Sequence, residues 1–511
     1  MTNVGSDPGG LSRRSITALL WGTGGSVLRV GLQIGSQIVL ARLLGPELYG
    51  AFAVALVAVM LSSLFADVGL AYGLIQKPTV SDEDIRFVFT WQVLLGLAMT
   101  LILWFSASWV GKLSGDPRIA DVVAMLAPSC LINSASATSG ALLRRDMDFK
   151  TLNIAAVVSY AIGFLVFAIP MAMAGAGVAA LVAGFLVQAT IMGAMQYWRT
   201  RHAVAPLIWQ VGARGILSFG LTVLATNVVN WAMSSIDRAI VGSTLGLAAA
   251  GLYSTAYNLI SAPLLQALSL LQSVFYSASA KLQDDREQLR RGLRALFGAV
   301  TLFCAPVFGG VAASAETIFL TLYGERWVGG GDVLAPLALA MPAYLLMGLA
   351  TPVLWASGAV RKEFQLQVPI AIVWIAVLWV VGQSSSLLLL SWAVCLLFHV
   401  RAAVIIGATL KAIDMAPLQL ARSCRAGLVV TGLVVVAGLA TEFVLAPALG
   451  RGLPLLLVDI AACAAAMLIG LRLMGGAVER DVGLLLGQVA DRVPGGAAHR
   501  VLALLLGPAR V

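Results

Sequence analysis

The sequence predicts an all-α integral membrane protein of about fourteen transmembrane helices, arranged as two six-helix lobes with an appended pair. Hydrophobic residues make up 60% of the 511-residue chain and charged residues only 11%, whereas soluble proteins average about 25% charged residues. Windows of roughly 19 residues locate about fourteen apolar stretches of bilayer-crossing length. One pattern also returns after 201 residues, and such a repeat indicates a duplicated architecture.

The repeat is clearest around a glycine–proline turn. Gly45 and Pro46 precede roughly 25 mostly apolar residues, and proline cannot continue a helix that precedes it. The turn is therefore expected to close one span and open the next. Gly45 and Gly50 have counterparts 201 residues later in Gly246 and Gly251. Six spans per half place both halves in the same orientation, which predicts a pseudo-twofold axis along the membrane normal.

The predicted spans define the organisation of the chain. In each half they run in order, centred roughly at residues 28, 60, 97, 130, 161 and 186, then 226, 262, 305, 344, 374 and 397, with an appended pair near 434 and 463. The predicted segments are a cytoplasmic N-terminus at 1–14, an N-lobe at 15–200, a C-lobe at 201–411, appended spans 13–14 at 412–475 and a cytoplasmic tail at 476–511. For the tail, an amphipathic interfacial helix and disorder are both open.

Basic residues set the predicted orientation, since cytoplasmic loops carry an excess of lysine and arginine. With a cytoplasmic N-terminus, 25 of the 33 basic residues fall on the cytoplasmic side and 6 on the opposite side, while Arg29 and Arg401 lie within spans. Both termini are therefore predicted to be cytoplasmic. The net charge of +9 reflects this bias, which argues against a nucleic-acid partner.

Several kinds of chemistry are not supported by the sequence. The five cysteines form no C-x-x-C pair and the three histidines are scattered, so no metal site is predicted. No G-x-x-x-x-G-K-[ST] loop occurs, and the external loops carry no paired carboxylates for catalysis. We expect neither an enzyme nor a bound cofactor.

Two polar stripes mark the candidate substrate site. Residues spaced by three and four share one face of a helix, and span 1 and span 7 carry such sets at positions offset by 201. The residues are Ser26, Arg29, Gln33 and Gln37 in span 1 and Asn227, Asn230, Ser234 and Arg238 in span 7. We expect the stripes to line a shared central cavity; the alternative is that they only hydrogen-bond helices together. Arg29 differs, because a guanidinium within a membrane requires an anion or water and its fork suits phosphate.

Other intramembrane polar residues support weaker hypotheses. Asp67 is a coupling candidate as a proton carrier, or else a helix-packing carboxylate. Arg401 in span 12 either lines the cavity or reaches the cytoplasmic interface with its long side chain. Asp237 is expected to pair with the arginine beside it. Tyr253 is a possible sugar contact. Asp459 in span 14 is expected at the membrane interface.

Six segments together carry a family resemblance. They are LARLLGPELYG (40–50), DVGLAYGLIQK (67–77), ALLRRDMDFK (141–150), DRAIVGSTLGLAAAGLYSTAYNL (237–259), AKLQDDREQLR (280–290) and LYGERW (322–327). With these segments the chain resembles the polysaccharide-transporter branch of the multidrug/oligosaccharidyl-lipid/polysaccharide exporter superfamily. It is most similar to Wzx-type flippases and to the colanic-acid or xanthan exporters of bacterial inner membranes.

The resemblance implies a two-lobed helical fold with a central cavity and an alternating-access mechanism. Its implied substrate is an undecaprenyl-pyrophosphate-linked oligosaccharide or polysaccharide repeat unit, turned from the inner to the outer leaflet. The resemblance implies that Arg29 and Arg401 are cavity residues. It makes spans 13 and 14 suited to guiding the polyprenyl tail. The implied partners are membrane lipids, a polysaccharide polymerase and glycosyltransferases. Coupling to a proton gradient, a sodium gradient or the membrane potential stays open.

Three other functions remain under consideration. A drug/cation antiporter of the same superfamily would favour acidic and aromatic cavity residues over Arg29. A non-transporting scaffold of a polysaccharide assembly complex is a second alternative. A lipid II flippase is a nearer relative, although the six segments fit the polysaccharide branch better.

Overall fold

A computed structural model describes residues 8–210, 213–281, 286–357 and 360–491. Every regular element within these residues is helical. The α-helices are α1 (Pro8–Asp67), α2 (Leu70–Gln76), α3 (Asp82–Leu113), α4 (Arg118–Leu126), α5 (Pro128–Arg145), α6 (Phe149–Tyr160), α7 (Ile169–Met173), α8 (Val178–Thr200), α9 (Ala213–Leu245), α10 (Leu247–Lys281), α11 (Arg286–Ala313), α12 (Ala315–Tyr323), α13 (Gly330–Ala356), α14 (Val360–Gly382), α15 (Leu387–Ala412), α16 (Pro417–Leu449), α17 (Leu453–Met474) and α18 (Arg480–Asp491). A π-helical segment (Ala161–Ala168) joins α6 to α7, and two 3₁₀ turns lie at Glu325–Trp327 and Gly475–Ala477.

The helices confirm a multi-pass membrane protein. Among the described residues, eleven helices are long and apolar enough to cross a bilayer. One of them, Leu28–Asp67, contains the second predicted span and the second half of the first, and α1 as a whole covers both. Helices α9 and α10 cover predicted spans 7 and 8 but are not among the eleven. The all-α class is therefore confirmed, and the number fourteen stays a prediction.

The chain forms two compact units, Met1–Ser254 and Thr255–Val511. The lobe boundary near residue 200 was predicted from the 201-residue repeat, and that boundary stays a prediction. In the first unit α9 packs closely on earlier helices. A Cβ on Gly242 would meet the Val54 side chain, and one on Gly69 would lie 2.7 Å from the Gly220 carbonyl oxygen.

The second unit is built on α11, which packs against α13 and α16. Helix α18 covers the beginning of this core, because Val482 is buried against the backbone position of Gly298. An ion pair of 3.1 Å between Arg294 and Asp481 holds the same contact. Residues 480–491 of the predicted tail form α18 and residues 492–511 lie outside the described part of the chain, so an interfacial position of the tail stays a prediction.

The two repeat glycines both have a positive φ. Gly45 interrupts α1 with φ of 76° and ψ of 174°, and Gly246 separates α9 from α10 with φ of 86°. Positive φ is open to glycine at no steric cost. The helix resumes directly at Pro46, where the missing N–H has no helical partner to lose. The predicted turns are therefore confirmed at both positions.

The two turns also pack against each other. A Cβ on Gly50 would overlap the Leu247 carbonyl oxygen, and a Cβ on Gly251 would overlap the Pro46 carbonyl oxygen. Because each residue and its counterpart differ by 201 in number, the contact is reciprocal between the repeats. Small residues allow such close backbone approach between helices in a membrane.

We predict that Gly50→Ala destabilises the protein by about 1–3 kcal/mol, the usual cost of overpacking a tight contact. The change is measured as the thermal aggregation midpoint of detergent-solubilised protein by fluorescence size exclusion. Gly35→Ala is the matched control, because a Cβ there meets nothing within 4 Å and alanine favours helix by up to about 1 kcal/mol. Equal midpoints for the two variants would contradict the close contact.

Candidate functional site

The exposed face of α9 is polar over its middle turns. Between residues 225 and 234 the exposed positions are Ala225, Thr226, Asn230 and Ser234, and Asn227 is half-buried. The Ser234 hydroxyl donates to the Trp231 carbonyl at 3.3 Å. Three predicted stripe residues therefore lie on or beside one surface, and its exposed positions between 225 and 234 carry no large apolar side chain.

A helix of the same unit shows the opposite surface. Over its last turns α3 exposes Leu101, Ile102, Trp104, Phe105 and Trp109. Large apolar and aromatic side chains suit hydrocarbon, whereas unpaired polar groups there are costly. The contrast indicates that α3 faces lipid and that α9 presents its stripe to a wetter environment.

The α1 stripe changes from exposed to buried along the helix. Arg29 is exposed, Gln33 is half-buried and Gln37 is 6% exposed. Beside them Gly31 and Gly35 are exposed, and a Cβ on either would meet nothing within 4 Å. The Ser26 side chain lies outside the described part of the chain. The solvent-exposed end of the α1 stripe is therefore the end with Arg29, and we call it the open end of the stripe.

Tyr160 joins this stripe and was missed from the sequence. Its hydroxyl lies 2.5 Å from the Ser36 hydroxyl, its ring stacks on Phe164, and the Arg29 guanidinium acts on it electrostatically. The π-helical segment 161–168 follows immediately, and π-segments often occur at functional sites. The sequence feature that could have identified Tyr160 as a site residue is its position as a tyrosine in the middle of an apolar span.

Asp67, the predicted coupling residue, lies in a closed hydrogen-bond network. Gln92 Nε2 donates to Asp67 Oδ1 at 2.9 Å, and the Thr138 hydroxyl donates to Gln92 Oε1. Gln92 and Thr138 are both fully buried. Arg144 acts on the carboxylate electrostatically. The network connects α1, α3 and α5, so a packing role for Asp67 has direct geometric support, and its role in coupling stays a prediction.

His202 lies beside this network. Its Nε2 is 3.0 Å from the hydroxyl of Ser139, the residue after Thr138, and its Nδ1 is 3.2 Å from the Ala203 carbonyl. The rings of Phe89 and Tyr197 contact the imidazole edge-on. Burial lowers the pKa of His202 below its ordinary value near 6.5, and the hydrogen bond to Ala203 opposes the shift only in part. His202 is thus held neutral.

Two of the resemblance segments have a structural explanation. Arg145 donates to the carbonyls of Leu74 and Pro78, each at 2.8 Å, so it holds the chain where α2 ends. Lys77 pairs with the buried Asp84 at 2.6 Å. Unpaired carbonyls at a helix end need donors, and arginine offers several in a fixed geometry.

Arg401 is buried in the second unit at 8% exposure. Its Nη2 donates to Gln367 Oε1 at 2.7 Å, and Gln367 Nε2 donates to Glu363 Oε1 at 2.9 Å. Trp355 Nε1 donates to the other oxygen of Glu363. The side chain is therefore held by α14, and its Nε carries no hydrogen bond within the described structure. Cavity lining by Arg401 stays a prediction.

One of the weaker hypotheses, the contact of Tyr253 with a sugar, needs correction. Tyr253 is fully buried and its hydroxyl donates to Asp237 Oδ2 at 2.6 Å, so it is not available to a sugar. Asp237 also accepts the Arg238 backbone N–H at 2.8 Å. Asp459 is only 1% exposed, so neighbouring helices cover it, and its expected position at the membrane interface stays a prediction. Both carboxylates are covered by neighbouring helices, which hydropathy along the sequence does not report.

Comparison with protein families gives one decisive match. The model of the family described as "polysaccharide biosynthesis protein" matches residues 39–330, more than half of the chain. The chain belongs to the polysaccharide biosynthesis protein family. The match includes the α1 turn, the Asp67 network and the α9 stripe, and it confirms the family resemblance found in the sequence.

Several proteins with curated names are also similar to this chain. The chain is 22% identical to the lipopolysaccharide biosynthesis protein WzxC of Escherichia coli K12, over 74% of this chain and 77% of WzxC. It is 28% identical to the succinoglycan biosynthesis transport protein ExoT of Rhizobium meliloti 1021, over 63% of this chain and 64% of ExoT. It is 22% identical to the teichuronic acid biosynthesis protein TuaB of Bacillus subtilis 168, over 65% and 69%.

Solved structures show the same fold for this polysaccharide biosynthesis protein. The lipid II flippase MurJ, in an inward closed conformation, superposes with a TM-score of 0.71 at 14% identity, covering 90% of this chain and 98% of MurJ. An inward-facing multidrug transporter of the MATE family and MOP superfamily gives a TM-score of 0.59 at 14% identity, covering 76% and 98%. The predicted superfamily fold is therefore confirmed.

We predict that acid destabilises the wild-type protein partly through His202. The unfolded chain binds a proton near pH 6.5 that the buried imidazole resists. Stability from this residue is thus present above about pH 6.5 and is lost as the pH falls below it. Thermal midpoints in detergent between about pH 7.5 and 5.5 should fall less in His202→Gln than in wild type. His399→Gln, at an exposed side chain, is the control; equal slopes in all three proteins would contradict the prediction.

Proposed function

We propose that this protein moves a polyprenyl-pyrophosphate-linked oligosaccharide or polysaccharide repeat unit across the bacterial inner membrane by alternating access. The observation that carries the proposal is the polar exposed face of α9 within a helix of membrane-crossing length. A surface of Asn230, Ser234 and their neighbours has hydrogen-bond donors and acceptors for sugar hydroxyls. The names of WzxC and ExoT support a substrate of polysaccharide biosynthesis.

Arg29 supplies the charge that such a substrate requires. Its side chain is exposed at the open end of the α1 stripe, and its guanidinium acts electrostatically on the Tyr160 hydroxyl. Arginine binds phosphate through paired N–H donors, so it is assigned to the pyrophosphate. Gln33 and Asn227, both half-buried, are assigned to the first sugar. Gln37 supports the stripe from its buried position, and Arg401 is a second cationic candidate.

The charge of the site argues against a cation antiporter. A drug cation would need a carboxylate on the exposed polar surface, and residues 225–234 of α9 carry none. Asp67 is engaged with Gln92. The remaining features of the proposal are both termini in the cytoplasm, two lobes divided near residue 200, and working partners among glycosyltransferases and a polymerase.

We predict that Arg29→Ala lowers leaflet transfer of undecaprenyl-pyrophosphate-linked oligosaccharide at least about tenfold, because a hydrogen bond to a charged group contributes about 1.5–3 kcal/mol. Transfer is measured in sealed vesicles as protection of the glycan from an added glycosidase. Arg29→Lys keeps the charge but not the fork, so it should retain an intermediate rate.

The matched control is Arg291→Ala, which removes an exposed arginine paired with Glu287 at the start of α11. It should transfer the glycan at the wild-type rate. Wild-type transfer by Arg29→Ala would remove Arg29 from the mechanism. Absence of transfer by the wild type, together with efflux of a cationic dye, would favour the antiporter instead.

We predict that a C-terminal fluorescent protein fusion is bright and a C-terminal alkaline phosphatase fusion is inactive, since the basic loops place both termini in the cytoplasm. Fusions placed after Arg451, in the short loop between α16 and α17, should show the reverse pattern. The opposite pair of results would invert the proposed topology.

A further inference from the structure

Helices α16 and α17 carry two acidic side chains inside segments of membrane-crossing length. Asp459 on α17 is 1% exposed, and the Glu442 side chain on α16 is 12% exposed. Ionisable groups within a membrane are costly and need a partner or a function. Neither residue belongs to the 201-residue repeat, and the proposed transport site uses neither.

The two carboxyl groups share a shortage of donors. Thr441 donates its hydroxyl hydrogen to Asp459 Oδ1, but Asp459 Oδ2 and Glu442 Oε1 are buried without a hydrogen-bond donor among the described residues. The two carboxyl groups are neighbours, because α16 packs on α17, Thr441 next to Glu442 in the chain donates to Asp459, and the two charges act on each other electrostatically. Ionised carboxylates only accept hydrogen bonds, so this approach is favourable only when one of the two is protonated.

The surrounding charges leave one negative charge unbalanced. Arg451, half exposed in the loop after α16, has its Nε 3.7 Å from Glu442 Oε2. The Cys463 thiol on α17 also interacts electrostatically with Asp459. From α12, the side chain near Glu442 is Thr317, whose hydroxyl is uncharged and makes no hydrogen bond to the described residues. One arginine therefore faces two carboxyl groups.

The remaining groups of α11 and α12 do not supply a second cation. Glu316 on α12 is directed to the backbone N–H groups of Gly329 and Gly331, at 3.3 and 2.8 Å. The α11 residues that face the pair's cavity are apolar, among them Pro306 and Val311. A proton is thus the simplest neutralising charge available to the pair.

A cavity adjoins the pair. It has a volume of about 250 Å³ and lies between α11, α12, α16 and α17, with Ser314, Asp459 and Cys463 in its wall. Its accessible wall is apolar, and the Ser314 hydroxyl is buried at its edge with no partner among the described atoms. A dry apolar wall disfavours a hydrated metal ion and two separate anions, whereas a neutral acid is tolerated there.

We propose that Asp459 and Glu442 form a proton-binding site that holds one proton between the two carboxyl groups. Like charges this close cannot both be ionised without a large penalty, so one carboxyl group retains its proton. The proton-bound pair joins α16 to α17 by a hydrogen bond. Loss of the proton leaves two adjacent anions whose repulsion separates the helices. The site rests on this geometry and is independent of the proposed transport substrate.

The direct test is infrared difference spectroscopy of the full-length protein in detergent, titrated from neutral to alkaline pH. The wild type should show the carbonyl stretch of a protonated carboxyl group at neutral pH and lose it on alkalinisation. Glu442→Gln, whose amide donates to Asp459 without a titrating proton, should lack that band. Asp121→Asn, at an exposed aspartate, should keep it. Absence of the band in the wild type, or its persistence in Glu442→Gln, would overturn the proposal.

A stability measurement distinguishes a proton from a sodium ion. The wild-type melting temperature should fall as the pH rises through the range in which the band is lost, and the melting temperature of Glu442→Gln should stay constant across that range. Potassium and sodium chloride at equal ionic strength should give the same wild-type curve. A sodium-specific rise in melting temperature that Glu442→Gln abolishes would assign the site to sodium and overturn the proton assignment.

Discussion

The first unit depends on a reciprocal backbone contact between the two repeats. The carbonyl oxygens of Pro46 and Leu247 lie against Gly50 and Gly251, where any side chain would overlap them. This contact fixes the beginning of α10 against α1, and the close approach of Gly242 to Val54 continues it along α9. In hydrocarbon there is little hydrophobic driving force between helices, so such close packing provides much of the association energy. The two polar stripes belong to one compact unit because of it.

Polar groups inside this protein fall into two classes. Asp67 with Gln92, Asp237 with Tyr253, and Arg401 with Gln367 are paired side chains whose partners come from other helices. Asn230 and Arg29 are instead exposed. Groups of the first class can be explained by packing, since an unsatisfied polar group in a membrane is costly. Groups of the second class require water or a ligand, which is why the functional argument rests on them.

The sequence predicted those features that depend on local pattern. The spans, the turns at Gly45 and Gly246 and the spacing of the stripes follow from hydropathy, proline chemistry and helical geometry. Features that depend on distant contacts could not be predicted. Ser36 and Tyr160 are 124 residues apart, and a hydropathy window gives no pairing between them. A hydropathy window also predicts how deep Asp459 lies in the membrane. It does not show that α16 covers this residue, so the burial of Asp459 was missed.

The contact between the repeats has a consequence for biosynthesis. Gly251 follows Gly50 by 201 residues, so at about 5–20 residues per second the ribosome needs roughly 10–40 s to deliver the second glycine after the first. During that interval the surface at Gly50 lacks the α10 backbone that packs against it in the folded protein. The packing of this early segment is thus completed only after the second repeat has been synthesised.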